Sequence, residues 1–245
     1  VAGLWTLPER QVPELARRLG GLDLLSDRER ARHDRLRTPG ARRRFLGGRL
    51  LCRTALTAHT GLPADTWRFV RTRYGRPELE EDHGGLRFNL SHTDGLIACV
   101  VTRGQACGVD VERVPFDRTT ARLLHDRFDD AQRAALAAAP DRLMALGELW
   151  VLTEAYVKGL GTGLAHGVRG LRFDRCGPGR FTVTDARRPV SGRRWRLDLL
   201  SPGPGHLLAV AVDGGGAVPP RHYDLGPAPA LPGAPPPARP APLTP

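Results

Sequence analysis

The sequence predicts an α+β protein, and three observations lead there. Helical and strand-like patterns come in alternating blocks along the chain rather than interleaved one by one. The longest apolar runs, residues 96–101 and 207–212, are short enough for buried strands and fall far below the roughly 18 residues of a membrane span. Finally, 245 residues with 40% hydrophobic and 26% charged side chains suffice to bury a core in one large or two small domains.

The elements follow in order. Residues 15–19 and 27–37 read as helices, the second with Ser26 as its N-cap. Across residues 41–61, Phe45, Leu46, Leu50, Leu51 and Leu56 recur at helical spacing, arginines fill other positions, and Gly61 ends the run. Residues 67–72 alternate like a strand and enter a turn at Tyr74-Gly75-Arg76-Pro77. Three short strands are expected at 86–90, 96–102 and 108–114. Helices return at 119–128, 130–139 and 142–160, the last with apolar Leu143, Leu146, Leu149 and Leu152. Beyond Gly161 the pattern is again strand-like, at 171–174, 180–184, 195–200 and 207–212. The chain divides near residue 105, which gives an N-terminal half (1–105) and a C-terminal half (106–225). Residues 226–245 hold nine prolines and five alanines, too few core-forming side chains to pack, so a disordered tail is expected.

Charge and composition narrow the function. The net charge is +11, concentrated between Arg28 and Arg53, where ten arginines face only Glu29 and Asp34. Such a block reads either as a solvated helical face or as a surface for anionic partners. The four cysteines form no CxxC pair, so neither a zinc ribbon nor a dithiol motif is expected, and they read as reduced thiols. No basic segment followed by an apolar stretch opens the sequence, so no signal peptide is expected. The expectation is a cytoplasmic protein without a membrane partner. Of 37 basic side chains, 36 are arginine and one is lysine, Lys158. Where arginine has displaced lysine almost everywhere, the survivor marks a place for a compact ammonium.

Three features then coincide. Asp110 and Glu112, two apart on a strand, project from one face while Val109 and Val111 project from the other. Trp150, Glu154 and Lys158 lie at i, i+4 and i+8, along one side of a helix. Ser91 and His92 stand just after the strand ending at residue 90. Singly, each has an ordinary explanation: an edge strand, a surface ion pair, a turn. Together, three carboxylates would repel one another unless a cation compensates, and an all-oxygen set suits a hard ion such as Mg²⁺. With a lysine and many arginines close in sequence, the set points to a phosphorylated substrate.

At these residues the sequence resembles the surfactin-type 4′-phosphopantetheinyl transferases. Their Gly-x-Asp-x-Glu segment stands here as Gly108-Val109-Asp110-Val111-Glu112, and their Trp-x-x-Lys-Glu-x-x-x-Lys helix as residues 150–158. Residues 74–77, 88–93 and the Arg44…Arg53 helix join the resemblance, which spans roughly residues 26–212. It implies transfer of 4′-phosphopantetheine from coenzyme A to a serine of an acyl or peptidyl carrier protein, with release of adenosine 3′,5′-bisphosphate. It also implies that Asp110, Glu112 and Glu154 hold Mg²⁺, that Glu154 is the base, and that Lys158 contacts the phosphate and assists the leaving group. Arg44, Arg76, Ser91 and His92, with Arg32, would bind the adenosine 3′-phosphate end. The implied fold is a monomeric pseudodimer of two similar α+β halves, each a small, mainly antiparallel sheet against a long helix, with the site in the cleft between them. The chain departs from the motif at Thr153, where lysine is usual, and at Val151, where Ser or Thr is common.

Carrier proteins are acidic, so a basic, partly apolar surface should receive them. Residues 114–127, with Phe116, Arg118, Arg122, Leu123 and Leu124, are the expected docking segment. Two rival readings are an inactive coenzyme A-binding scaffold and a nucleic-acid-binding protein. The complete Asp110, Glu112, Glu154 and Lys158 set opposes the first. The absence of helix-turn-helix, RNA-recognition and zinc-finger patterns, with only 6% aromatic residues, opposes the second, so no nucleic acid is expected.

Overall fold

The computed structural model describes residues 2–189, 194–214 and 221–225. The observed elements begin with β1 (Gly3–Pro8), α1 (Val12–Leu19), α2 (Asp27–Asp34), α3 (Pro39–Thr60), β2 (Phe69–Arg71) and β3 (Pro77–Leu79). Then come β4 (Leu86–Thr93), β5 (Leu96–Arg103), β6 (Cys107–Arg113), α4 (Arg118–His125), α5 (Asp130–Ala138) and α6 (Arg142–Gly159). The last are β7 (Leu171–Gly177), β8 (Arg180–Asp185), β9 (Trp195–Leu200), β10 (His206–Asp213) and β11 (Arg221–Asp224). The expected tail, 226–245, lies outside the described residues.

The α+β expectation holds: the strands form a four-stranded sheet in the order β11-β1-β5-β4, a five-stranded sheet β6-β10-β9-β8-β7, and a small β2-β3 ribbon. Pairing is antiparallel except between β1 and β11.

Side-chain alternation shows how the layers stack. In β5, Ile97, Cys99 and Val101 join Leu50, Leu51 and Ala55 of α3 in one apolar core. The opposite face of β5, Leu96, Ala98 and Val100, meets Val109 and Val111 of β6 and Leu208 and Val210 of β10. The other face of β10, Leu207, Ala209 and Ala211, packs with Val151, Leu152 and Ala155 of α6. Both sheets are therefore covered on both sides, which is why β5 and β10 carry uninterrupted apolar runs instead of a half-polar alternation.

Three stretches differ from the sequence expectation. No element was expected at residues 3–8, yet β1 is a central strand. Its first five residues are buried, so no polar face marks it. The strand expected to stop at residue 90 continues to Thr93, so Ser91 and His92 lie inside β4 rather than after it. Residues 221–225, read from the sequence as the end of the second half, cross back to the first sheet, where β11 pairs with β1.

The arginine-rich block is not wholly a solvated face. Ser26 and Glu29 form a capping box at the start of α2. The same Glu29 accepts from Arg53 at 2.8 Å and pairs with Arg49 at 3.2 Å, and all three side chains are buried. This ion cluster fastens α2 to α3.

Candidate active site at the seam between the sheets

β4 and β6 are the facing edges of the two sheets, and polar side chains lace them together. The backbone N–H of Val109 donates to Asn89 Oδ1 at 2.9 Å, and the Ser91 hydroxyl donates to Asp110 Oδ1 at 2.9 Å. Thr93 Oγ1 lies 3.4 Å from Glu112 Oε2. Asn89, the sole asparagine, thus has a visible job; its uniqueness was the one signal of it in the sequence.

The period-two spacing places Asp110 and Glu112 on the face of β6 that meets α6, with Val109 and Val111 turned to the other sheet. Gly108 lets the helix come close: a Cβ there would stand 2.0 Å from Ala155 O and 2.4 Å from Gly159 N. From α6, Lys158 reaches over to donate to Asp110 Oδ1 at 2.5 Å and to Ser91 Oγ at 3.0 Å. The Trp150 indole N–H favours the charged form of Glu112. The helical ladder of Trp150, Glu154 and Lys158 does lie along one side of α6, but the lysine's partner is Asp110 across the seam.

The electrostatics carry an excess of negative charge. Burial, reinforced by Asp110, raises the Glu112 pKa to about 7, against the opposing pull of Lys158 and the Trp150 and Thr93 hydrogen bonds. Glu154 is also raised, chiefly by burial and further by Asp110, with Lys158 opposing. Burial alone would depress Lys158, but Asp110 and the two glutamates hold it above the ordinary lysine value. Asp110 Oδ2 and Glu154 Oε1 are buried without a hydrogen-bond partner.

A cavity of about 250 Å³ opens beside this constellation, lined by Tyr74, Arg76, Asn89, Glu154, Lys158 and the glycines at 161 and 163, among others. Arg76 is its clamp. Its Nη1 donates to Lys158 O at 2.6 Å and Gly159 O at 3.3 Å, and its Nη2 to Phe88 O at 3.1 Å and Cys107 O at 3.3 Å. One guanidinium so caps the C-terminus of α6 and ties it to both edge strands. Pro77 belongs to this cavity and also to a second, of about 210 Å³, lined by Arg28, Arg32, Arg35, Arg49 and Arg71 with Phe45 and Phe69. There, Arg32 Nη1 and Arg49 Nη1 are buried without an acceptor. Apart from Arg32, these arginines were not singled out in the sequence, where a charge run hides which members turn inward.

The remaining expected residues sit at the margin. Arg44 is engaged by Glu9 at 3.0 Å and Asp94 at 2.9 Å, and His92 is exposed on the opposite face of β4 from Ser91. Partial desolvation of the His92 ring, and the positive charges of Arg44 and Lys158, hold its pKa below the ordinary imidazole value. Neither Arg44 nor His92 lines the two cavities. In the expected docking segment Leu123 is 62% exposed, whereas Leu124 is buried and Phe116 packs into the core. Of the segment's three large apolar side chains, only Leu123 is exposed.

Comparison with known proteins gives matches to both halves. Residues 106–211 match the model of the 4′-phosphopantetheinyl transferase superfamily, and residues 13–104 match that of the 4′-phosphopantetheinyl transferase N-terminal domain. Among curated proteins, the chain is 30% identical over 221 residues to the 4′-phosphopantetheinyl transferase HetI of Nostoc sp., covering 87% of this chain and 88% of the relative. It is 26% identical over 134 residues to the 4′-phosphopantetheinyl transferase gsp of Aneurinibacillus migulanus, covering 54% of each. It is 32% identical over 173 residues to the L-aminoadipate-semialdehyde dehydrogenase-phosphopantetheinyl transferase of Eremothecium gossypii, covering 67% of this chain and 62% of the relative.

Proposed function

Given that the chain belongs to the 4′-phosphopantetheinyl transferase superfamily, and so to that class of enzyme, we propose that it transfers 4′-phosphopantetheine from coenzyme A to a carrier-protein serine. Adenosine 3′,5′-bisphosphate is the other product. The observation that carries the reading is the hydrogen-bonded Ser91–Asp110–Lys158 group, whose lysine lines one cavity, with an arginine-lined second cavity on the other side of Pro77. With a cation offsetting the carboxylates, Lys158 at the first cavity and the arginines at the second fit a ligand that carries a pyrophosphate and a separate 3′-phosphate. Arg32 and Arg49, with unused buried donors, face the second end. Arg44 adds positive field at the rim, His92 offers a neutral imidazole as a hydrogen-bond partner there, and Arg76 holds the walls in register.

Mg²⁺ is the metal this reading implies, and the donor set fits it. Three carboxylates share one ammonium, two of their buried oxygens have no partner, and burial with the Asp110 charge raises Glu112 to about 7. Among the described residues these carboxylates are not already gathered at ligand spacing. Asp110, Glu112 and Glu154 would hold the ion, which would supply charge neutralisation on the pyrophosphate.

The chain's own residues supply the rest. Glu154, with its raised pKa and free Oε1, takes the serine proton directly or through water. The serine oxygen then bonds to the phosphorus that carries pantetheine, and the bond from that phosphorus to the departing bisphosphate breaks. Lys158 steadies the charge on the departing oxygen. The same reading makes the chain a surfactin-type pseudodimer whose halves meet near residue 105, acting as a cytoplasmic monomer on an acidic carrier.

The test is the intact mass of an apo carrier protein after incubation with coenzyme A, Mg²⁺ and this protein. One added phosphopantetheine group is expected, with EDTA and Glu154→Gln each lowering the rate by about 100-fold or more. No addition to acyl or peptidyl carriers, with coenzyme A still bound, would turn the reading to an inactive scaffold.

A further inference from the structure

Behind α6, on the side away from the cavity, one buried carboxylate holds two separate pieces of chain. Asp185, at the end of β8, is 1% exposed. Its Oδ2 accepts the Tyr156 hydroxyl at 2.8 Å and His166 Nε2 at 2.8 Å, and its Oδ1 accepts the Arg187 backbone N–H at 2.9 Å. Because a carboxylate accepts, the imidazole presents its Nε2 proton here.

The two donors come from both ends of one cavity wall. Tyr156 lies midway between Glu154 and Lys158 in sequence and, two residues from each, on the opposite face of α6. His166 closes the short 3₁₀ turn Gly163–His166, just beyond the cavity-lining glycines at 161 and 163. Gly161, Gly163 and Gly167 all have left-handed backbone, with φ of +77°, +53° and +80°. Glycines in that region bring no side chain to anchor the wall and leave it much freedom. The near end is pinned by the Arg76 bonds to Lys158 O and Gly159 O. At the far end His166 is the anchor within the turn itself among its described side chains, and just beyond it Gln132 donates to Val168 O at 3.2 Å and the Val168 side chain is buried.

We infer that His166 is a positioning residue: through Asp185 it latches the glycine loop 161–167 to the back of α6. The loop wall and the Glu154–Lys158 side of the helix then stand at a fixed separation around the pyrophosphate of coenzyme A. This rests on the proposed function for the identity of the ligand, but the latch itself is read from the Asp185 contacts. Neither Tyr156 nor His166 lines the cavity, so the effect is on placement and not on direct contact.

The experiment compares His166→Leu with His166→Gln, whose amide N–H reaches about where Nε2 stands. Calorimetry gives Kd for coenzyme A, and steady-state assay with saturating carrier gives KM and kcat. The leucine variant should raise Kd and KM about tenfold while kcat stays within about twofold, and the glutamine variant should recover most of the loss. An unchanged Kd, a fall in kcat alone, or a glutamine variant as weak as leucine would overturn the latch. Hydrogen exchange on the unaltered protein gives a reading free of any folding defect. Amides 160–167 and 154–159 should gain protection together when coenzyme A binds, and a gain confined to the helix would also overturn it. If the unaltered protein binds coenzyme A yet modifies no carrier, the transferase reading falls while Kd and exchange still judge the latch.

Discussion

At the scale of single residues, the most consequential number is the Glu112 pKa of about 7, against an ordinary 4.5. The folded protein keeps a proton there that the unfolded chain releases. Between those two values the native state binds more protons, so stability is full at lower pH and declines as pH rises towards 7. Glu154, also raised by burial, acts in the same direction. The decline should reach up to about 3 kcal/mol in metal-free protein, read from urea unfolding between about pH 5 and pH 8, and Glu112→Gln should flatten it. Identical slopes for the two proteins would remove Glu112 as the cause. Much of this was legible beforehand: the shared face of Asp110 and Glu112 follows from period-two spacing, and Lys158 stood out as the sole lysine. The burial of Arg49 and Arg53 was not, because an arginine run has the same appearance whether its members point out or in.

Among elements, the contact of α6 with β6 decides whether the carboxylates meet the lysine at all. Gly108→Ala tests it, since the new methyl would stand 2.0 Å from a helix carbonyl oxygen that moves only if α6 moves. Overpacking commonly costs about 1–3 kcal/mol, and a backbone obstacle places this change at or above the top of that range. The urea midpoint should fall accordingly and transfer should be lost; a variant as stable as the parent would mean the helix does not lie there. Helices with one apolar side, such as α3, were readable from periodicity alone. β1 was not, because a strand covered on both sides loses the alternation by which strands are found. The end of β4 was missed for a related reason: Ser91 and His92 look like turn residues, yet Ser91 is held in the strand by its Asp110 and Lys158 bonds.

For the whole molecule, the +11 charge should govern how fast an acidic carrier arrives more than how coenzyme A is bound. The carrier kcat/KM should drop about fivefold between low and physiological salt. Leu123→Glu, at an exposed apolar position in α4, should raise the carrier KM about tenfold and leave the coenzyme A KM unchanged. Equal rises in both would move the docking surface elsewhere. The α+β class could be read from the sequence because local patterns suffice for it, whereas the closing of the first sheet by β11 joins residues that no local pattern relates. Thr6 and Asp224 pair across 218 positions. That pairing bears on synthesis. Contacts so distant in sequence close late, since the entropy of bringing them together is lost before they stabilise anything. While the ribosome is still making the second half, the first sheet stands with β1 as an open edge, and Trp5 has yet to meet its stacking partner Tyr223. The nascent chain therefore carries an unfinished, sticky margin until nearly its last described residue has emerged.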